Sequence, residues 1–342
     1  MGRPNSTNDN LPPYMRKRVR KYGTYYFLDT GATPRSEIPL GKDYFAALRK
    51  YAEIMDHSAS GDVRTFGDAI NRYRLQELPN KAQNTIRVMM TDLRYLESYF
   101  GDAPMEEIRP MHIRMFLDKH RDKPTTANRC KRVFSTVWNV ARGWGFTDLP
   151  PPSAGIMGYS LGKREVYITD EVYNAVRNAA TEELRNAMDL AYLTGQRPSD
   201  ALRMTEDDIV SGFLIVSQGK THKKLRIVVT GELAALLGRI ATRKAQYQIE
   251  HRHLLMNRRN APLTQAVLRR LFKKAKGKAL LENPSLADAI RAFWFYDLRA
   301  KAADDVGDER GAQDTTDLLG HDSQRTTSRH YRRRGTIVRP TR

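Results

Sequence analysis

The chain has 342 residues, with 58 lysines and arginines against 39 aspartates and glutamates, and its formal net charge is +19. This excess is larger than solubility requires and predicts a polyanionic partner, either nucleic acid or an anionic membrane surface. No apolar run approaches the ~18 residues of a membrane-spanning helix, and polar residues follow Met1 where a signal peptide would carry its apolar core. Cys130 is the only cysteine, which excludes an intramolecular disulfide and a cysteine-based zinc site. We therefore expect a cytoplasmic protein that binds nucleic acid and no membrane.

Residues 1–62 make up a basic amino-terminal region. Its first 22 residues are polar, basic and broken by three prolines, so we expect them to be unstructured until they bind a partner. Short β-type runs follow at residues 24–28 and 37–40, and a helix is predicted in KDYFAALRKYAEIM. A small sheet with one helix suits a DNA-reading appendage, and an ordinary capping subdomain is equally consistent with the composition.

Residues 63–150 are predicted to be all-helical. Four segments keep apolar residues three and four apart: FGDAINRYRLQEL, NTIRVMMTDLRYLESYFG, RPMHIRMFLDKH and TTANRCKRVFSTVWNVARGWG. Gly101 and Gly143 are expected to end two of these helices. The polar faces are rich in lysine and arginine, which favours a DNA-facing bundle on a chain this basic. A merely solvated face is the alternative.

Residues 151–163 are rich in proline and glycine and lack apolar periodicity, which predicts a linker. Residues 164–342 are then expected to form a mixed α+β domain. Thr169 is placed to cap a first helix, and EELRNAMDLAYLTG predicts a second that ends at Gly195. GFLIVS and LRIVVT predict a hairpin joined by QGKTHKK, and helices continue to about Leu319.

Arginine and lysine side chains stand at two turns of this domain. In TGQRPSDALRM, Pro198 suits the first position of a new helix, so Arg197 lies at an amino terminus that favours an anion. A guanidinium there can clamp a phosphate with two hydrogen bonds, or it can pair with Asp200. In QGKTHKK the lysines are Lys220, Lys223 and Lys224. Any of them could point toward a ligand from the turn, and a solvated turn is the alternative.

FWFYDLRAKAADD predicts another cationic position. Tyr296 and Arg299 are three apart, hence on one helical face, Asp297 fits the first turn, and Gly307 is expected to end the helix. Because Arg299 follows an apolar run, we expect its guanidinium to be partly buried. A buried guanidinium needs an anionic partner, which is either a structural carboxylate or a bound phosphate.

LLGHDSQRTTSRHYRRRG closes the pattern with a histidine and a tyrosine. His321 follows a helix-ending glycine, and Tyr331 stands directly before three arginines. Either the phenol is a nucleophile with cations that receive a phosphate, or the segment is a basic tail with an incidental aromatic. Our hypothesis is that the arginines after Asp322 neutralise phosphate around the nucleophile and dock on a neighbouring protomer. A solvated tail is the alternative.

Four boxes in this order, LTGQRPSDAL, a hairpin GKT, YDLR and LLGHDS with a downstream tyrosine, resemble the tyrosine site-specific recombinases, specifically phage-type integrases. The resemblance implies a mainly α fold with small β-sheets in several domains. These are a sheet-plus-helix arm-type domain at residues 1–62, a helical core-binding domain at 63–150 and a mixed α+β catalytic domain at 164–342.

The resemblance also implies a role for each site residue. Tyr331 attacks a DNA phosphodiester and leaves a 3′-phosphotyrosyl link and a free 5′-hydroxyl. Arg197 and Arg299 hold the nonbridging oxygens, and Lys220 protonates the departing 5′-oxygen as general acid. His321 hydrogen-bonds the phosphate or assists proton transfer at the tyrosine. No metal, cofactor or ATP is implied.

Two positions depart from the family pattern. Tyr296 stands where the second box usually begins with histidine, and a phenol is a poor proton shuttle near neutral pH because its ordinary pKa is about 10. Tyr331 lies one residue farther from His321 than is usual, for which an insertion is a simpler account than loss of the nucleophile.

The implied partner is double-stranded DNA at attachment sites in a bacterial host. A homotetramer on DNA, with accessory DNA-bending or directionality proteins, is the expected assembly. Two other functions remain open. One is a non-catalytic DNA-binding regulator on a recombinase scaffold, and the other is a type IB topoisomerase-like enzyme that needs no specific site.

Overall fold

The computed structural model of the protein describes residues 11–12, 14–29, 37–56, 64–335 and 340–341. The chain divides into two compact units, Met1–Gly162 and Lys163–Arg342. Both units are mainly helical and each carries one three-stranded antiparallel sheet, which confirms the predicted fold class. Within the described part of the chain, no helix combines the length and the apolar character needed to cross a membrane.

The first unit begins with a sheet in the order β1-β2-β3, on which one helix packs. The elements are β1 (Met15–Arg20), β2 (Gly23–Asp29), β3 (Glu37–Gly41) and α1 (Tyr44–Asp56). The strands predicted at residues 24–28 and 37–40 and the helix after them are therefore confirmed. Their shared core consists of Met15, Leu28, Leu40, Leu48 and Tyr51, so burial of apolar side chains holds this small subdomain together.

The strand β1 corrects one prediction. Residues 15–20 were expected to be unstructured before binding, because MRKRVR has one large apolar side chain at its start and four basic ones. The sequence pattern misses the carboxylates on the other two strands of the sheet. Arg16 lies 2.6 Å from Asp29, and Arg18 lies 2.7 Å from Glu37. Cross-strand ion pairs therefore stabilise a strand that lacks a continuous apolar face. The expectation for residues 1–10 falls outside the described residues.

Four helices complete the core of the first unit: α2 (Phe66–Gln76), α3 (Gln83–Phe100), α4 (Pro110–Lys119) and α5 (Pro124–Gly143). All four were predicted. Aromatic rings fill the space between them, and the rings of Phe66 and Phe134 stack at 4.4 Å beside Trp138. Part of the basic surface is neutralised, since Arg129 pairs at 2.6 Å with the fully buried Asp92. That arginine is therefore a structural residue rather than a DNA-facing one.

The two glycines expected to end helices do lie at helix ends, Gly101 directly after α3 and Gly143 as the last residue of α5. Gly101 keeps right-handed helical geometry (φ −55°), and its carbonyl oxygen accepts a hydrogen bond from the Gly67 amide at 2.9 Å. Gly143 is the last residue of α5, and the left-handed residue that follows the helix is Gly145 (φ +76°). A β-carbon on Gly67 would lie 2.6 Å from the Gly101 oxygen. Close backbone approach explains the glycine at 67.

Residues 151–163, predicted as a linker, contain no helix or strand, but several of them are fixed to the first unit. The hydroxyls of Ser153 and Ser135 lie 2.6 Å apart, and the Tyr159 amide donates to the side chain of Asn128 at 2.8 Å. These contacts order the segment as part of the first unit.

The second unit surrounds a nearly fully buried helix, α7. Its helices are α6 (Asp170–Asn178), α7 (Glu182–Thr194), α8 (Pro198–Ala201), α9 (Gly231–Gln246), α10 (Gln265–Glu282), α11 (Ala287–Ala292), α12 (Asp297–Glu309), α13 (Ala312–Leu319) and α14 (Gln324–His330). The sheet contains β4 (Ile209–Val210), β5 (Phe213–Ser217) and β6 (Lys224–Val228). The predicted hairpin is β5–β6, and the predicted cap is confirmed, since Thr169 accepts a hydrogen bond from the Val172 amide.

Replacing Gly67 by alanine tests the close approach of α2 to the end of α3. We expect the free energy of unfolding to fall by about 1–3 kcal/mol, because the new methyl group forces the backbones apart. Gly143→Ala is the control, since no atom lies within 4 Å of its β-carbon position, and it should leave stability unchanged or raise it. Urea unfolding of the full chain followed by tryptophan fluorescence measures both. Equal effects would contradict the packing explanation.

Candidate active site

Arg197 is placed by a sharp turn between two helices. Gly195 ends α7 in the left-handed region (φ +64°), and Pro198 begins α8, so Arg197 becomes the residue before the new helix. Its guanidinium Nη1 donates to Gln218 Oε1 at 3.1 Å and lies 3.8 Å from Asp200 Oδ2. The predicted pairing with Asp200 is thus a long contact, because this carboxylate bonds Arg203 at 2.6 Å instead.

Arg299 is fully buried in the first turn of α12. Its guanidinium donates to the carbonyl oxygens of Gly195 and Leu319, both at 2.7 Å, and to the His321 ring at 3.1 Å. Its Nε finds no hydrogen-bond partner among the described residues. The sequence predicted an anionic partner, but no carboxylate among the described residues forms a salt bridge with this cation. Burial lowers the pKa of Arg299, as does the nearby charge of Arg197.

His321 enters the site as a neutral imidazole. It follows Gly320, which ends α13 with φ +62°, and its ring is buried. Nε2 accepts the hydrogen bond from Arg299, so Nδ1 carries the proton and donates to Thr327 Oγ1 at 2.8 Å. Burial, with the charges of Arg299 and Arg197, lowers the pKa of His321 to about 4. At neutral pH this imidazole therefore carries no charge.

Tyr331 lies against these groups. It follows α14, and its buried ring packs on Ala303 and Leu319. The ring centre lies 4.9 Å from that of His321 and 5.1 Å from the Arg299 guanidinium carbon. Burial opposes ionisation of the phenol, but the hydrogen bond from Tyr296 and the charge of Arg299 outweigh it. The pKa of Tyr331 is therefore lowered from its ordinary value.

Tyr296, the departure from the expected histidine, contacts the Tyr331 hydroxyl directly. The two phenolic oxygens lie 2.7 Å apart. Burial and the hydrogen bond with Tyr331 raise the pKa of Tyr296 to about 12. Either hydroxyl can donate in this hydrogen bond, but the Arg299 guanidinium lies against the Tyr331 ring, so the site favours Tyr331 as the phenol that ionises and Tyr296 as the donor. A phenol that is a poor proton shuttle can still stabilise a phenolate by hydrogen bonding.

Lys220 does not contact the other predicted site residues within the described part of the chain. It is exposed on the turn between β5 and β6, and its ammonium forms no hydrogen bond or ion pair with the residues described. Lys223 on the same turn donates to the His321 carbonyl oxygen and to Asp322, both at 3.0 Å. The turn therefore contacts the histidine loop through Lys223, while Lys220 remains available to a ligand.

The arginines after Tyr331 correct another expectation. Arg332 lies 2.7 Å from Asp308, Arg333 lies 2.7 Å from Asp297, and Arg334 pairs with Asp308 at 3.3 Å. These three cations are neutralised by carboxylates of α12 in the same unit, so they do not surround a phosphate. The sequence could not indicate these ion pairs, because the carboxylates lie on α12, which is distant from the arginines in sequence. Arg339 and Arg342 fall outside the described residues.

Gly307 was expected to end a helix, yet it lies inside α12, which continues to Glu309. A β-carbon there would come within 1.5 Å of the Arg332 guanidinium. The glycine therefore makes room for the arginine that follows the tyrosine. Together with the ion pairs, this contact fixes the segment after Tyr331 on α12.

Three residues of the site were missed by sequence reasoning. Gln196 and Gln218 are both fully buried, and their side-chain amides bond each other at 2.7 Å beside Arg197. Asp297 is fully buried too and accepts from Arg333 and from Arg164 at 2.8 Å. The sequence did offer one signal for the two glutamines, because each stands next to an apolar segment, in TGQR and in SQGK.

Two known family descriptions match separate parts of the chain. Residues 167–336 match the Phage integrase family, and residues 66–154 match the Phage integrase central domain. The chain belongs to the phage integrase family. It is a tyrosine recombinase, as the four boxes predicted. The integrases of Enterobacteria phage 434 and Escherichia phage lambda are each 26% identical to it over 352 residues, which cover 95% of this chain and 95% of theirs.

Solved structures share the fold. A lambda integrase dimer bound to a COC′ core site superposes with a TM-score of 0.68 at 23% identity, covering 97% of this chain and 98% of that one. A lambda integrase tetramer bound to a Holliday junction gives a TM-score of 0.65 at 22% identity, covering 92% and 97%. The chain therefore has the same fold as these lambda integrase structures.

Replacing Tyr296 by phenylalanine tests the phenol pair. We expect the pKa of Tyr331 to rise, because the phenolate loses its hydrogen-bond donor while burial persists. Carbon-13 NMR of full-length protein labelled at tyrosine Cζ, with the signal assigned through Tyr331→Phe, measures the titration. The exposed Tyr247 provides the control Tyr247→Phe, which should leave the Tyr331 midpoint in place. An unchanged midpoint in Tyr296→Phe would contradict the donor role.

Proposed function

We propose that Tyr331 cleaves DNA by attacking a phosphodiester held between Arg197 and Arg299. The observation that carries the proposal is the arrangement around the Tyr331 phenol. A buried arginine with no carboxylate partner among the described residues and a neutral histidine lie on its ring, and a second phenol bonds its hydroxyl. Such a set attracts a phosphate and favours the ionised nucleophile.

The reaction forms a bond between the Tyr331 oxygen and phosphorus and breaks the bond to the 5′-oxygen. The products are a 3′-phosphotyrosyl link and a 5′-hydroxyl. Negative charge grows on the nonbridging oxygens in the transition state, where Arg197 and Arg299 hold them. Loss of one such donor typically costs roughly 10²–10³ in rate. His321 hydrogen-bonds the phosphate or takes part in proton transfer.

The departing 5′-oxygen needs a proton, and Lys220 supplies it in this proposal. The exposed lysine stands on a turn that is closed by a backbone hydrogen bond from the Gln218 amide to the Lys223 carbonyl oxygen. General acid catalysis of this kind contributes roughly 10²–10⁴ in rate. The phosphotyrosyl link keeps the phosphodiester energy, so a 5′-hydroxyl from another strand can reverse the step without ATP.

The substrate we propose is double-stranded DNA at attachment sites in the bacterial cytoplasm. Lambda integrase, a 26% identical relative, is known as a dimer bound to a COC′ core site and as a tetramer bound to a Holliday junction. By analogy, this chain acts as a homotetramer. Residues 1–62 bind arm sites, residues 63–150 bind the core site and residues 164–342 cleave. Accessory DNA-bending or directionality proteins belong to the same proposal.

Covalent capture on DNA tests the nucleophile. Full-length protein is incubated with duplexes that carry randomised flanks and a nick, so that the short 5′-hydroxyl fragment diffuses away after cleavage. We expect adducts that survive denaturation, enriched for one core sequence, with the DNA mapped to Tyr331 by peptide mass spectrometry. Tyr331→Phe should bind the enriched DNA and form no adduct, while Tyr247→Phe should behave as wild type.

Other outcomes would favour the two remaining functions. Salt-sensitive binding without any adduct indicates a DNA-binding regulator. Relaxation of supercoiled plasmid without enrichment of a core sequence indicates a topoisomerase-like enzyme. An adduct mapped to a residue other than Tyr331 would overturn the assignment of the nucleophile.

Arg333→Gln tests whether the arginines after Tyr331 position the nucleophile or bind DNA. We expect covalent capture to fall by about 10-fold, because the segment that carries Tyr331 loses its ion pair with Asp297. The salt dependence of DNA binding should not change, since a neutralised cation displaces no counterions. Arg325→Gln, at an exposed position of α14, controls for loss of one positive charge. A shallower salt slope in Arg333→Gln alone would place that side chain on phosphate.

A further inference from the structure

The side chain of Gln218 has all its hydrogen-bonding positions occupied. It lies directly after β5 and is fully buried. Nε2 donates to Gln196 Oε1 at 2.7 Å and to the Leu319 carbonyl oxygen at 2.9 Å. Oε1 accepts from Arg197 Nη1 at 3.1 Å and from Thr221 Oγ1 at 2.7 Å. A primary amide offers two donors and two acceptor positions, and this one uses every one of them.

These four bonds join three segments that are distant in sequence. Gln196 and Arg197 precede α8, Thr221 lies on the lysine turn, and Leu319 ends α13 just before the histidine loop. Gln196 strengthens the junction, because its own amide donates to the Leu318 carbonyl oxygen at 2.9 Å. Gly320 makes room for the Gln218 amide, since a β-carbon at residue 320 would lie 2.8 Å from Gln218 Nε2.

The backbone of Gln218 also closes the turn that presents Lys220. Its amide donates to the Lys223 carbonyl oxygen at 2.9 Å, and its carbonyl oxygen accepts from the His222 amide at 2.8 Å. His222 takes up the left-handed conformation that this turn requires (φ +56°). The position of the lysine turn and the position of the arginine thus depend on one residue.

We propose that Gln218 is a positioning residue that sets Arg197 and Lys220 at a fixed separation across the scissile phosphate. The inference rests on the proposed function and extends it to a residue that touches no reacting atom. An amide suits the position for an electrostatic reason. A carboxylate in its place would pair with Arg197 and compete with the phosphate for that charge, whereas the neutral amide orients the guanidinium and leaves its charge available.

Variants that remove individual hydrogen bonds separate the effect of Gln218 on the lysine turn from its effect on Arg197. Thr221→Val removes the hydrogen bond to the lysine turn, and Gln196→Leu removes the bond on the arginine side. Gln218→Leu removes both. Each full-length variant is assayed for single-turnover cleavage of the enriched core DNA, made once with the normal 5′-oxygen and once with sulfur at the bridging 5′ position.

The bridging sulfur distinguishes a lysine defect from an arginine defect. When the bond from phosphorus to sulfur breaks, a thiolate leaves without a proton, because a thiol is far more acidic than an alcohol. We expect Thr221→Val to lose about 10-fold on the oxygen substrate and to recover on sulfur. Gln196→Leu should lose a similar factor and not recover. Gln218→Leu should lose about 10²-fold and recover only in part.

Two controls distinguish a loss of positioning by Gln218 from a general folding defect. DNA affinity should stay within about 3-fold of wild type, and Gln246→Leu, at the exposed end of α9, should cleave both substrates normally. A uniform folding defect would reduce cleavage of oxygen and sulfur substrates by the same factor in all three variants, and that result overturns the inference. Normal cleavage by Gln218→Leu overturns it as well.

The wild-type protein separates failure of this inference from failure of the proposed function. Wild-type protein that forms no adduct on either substrate overturns the proposed function, and the inference with it. If the wild-type protein cleaves, and the variants either cleave equally well or are impaired equally on both substrates, then only the inference is overturned. Because Thr221 lies on an exposed turn, Thr221→Val provides this comparison even if Gln218→Leu does not fold.

Discussion

The candidate site depends on a guanidinium that is buried without a carboxylate partner among the described residues. Burying a charge costs free energy unless other groups stabilise it. Arg299 receives that stabilisation from the carbonyl oxygens of Gly195 and Leu319, at the carboxyl ends of α7 and α13. The end of a helix carries partial negative charge, so two helix dipoles face this one cation. They stabilise it, and they leave its positive charge available to a phosphate in a way that a carboxylate would not.

The state of the neighbouring groups follows from that charge. Burial, together with the charge of Arg299, lowers the pKa of His321 and keeps it neutral. The hydrogen bond from Tyr296, together with the same charge, lowers the pKa of Tyr331. Tyr296 adds a hydrogen bond to the phenol. The chemistry of the site is thus set by where one arginine is buried, and the other residues adjust their protonation to it.

Sequence reasoning reached the fold class, most helices, the hairpin and five residues that the structure places together, because local patterns specify them. Helix ends with glycine and proline, the apolar run before Arg299 and the four ordered boxes are all visible over a few residues. The strand at Met15–Arg20 and the ion pairs of Arg332 and Arg333 were not predictable in this way. Their partners lie on other strands or a helix away, so only the folded chain brings them together. The roles of Gln196 and Gln218 were hidden for the same reason.

Asp297 links two segments of the second unit that lie far apart in sequence. This carboxylate bonds Arg164, near the beginning of the unit, and Arg333, just after the nucleophilic segment. One buried carboxylate thus attaches both the first residues of the unit and the segment after the tyrosine to the start of α12.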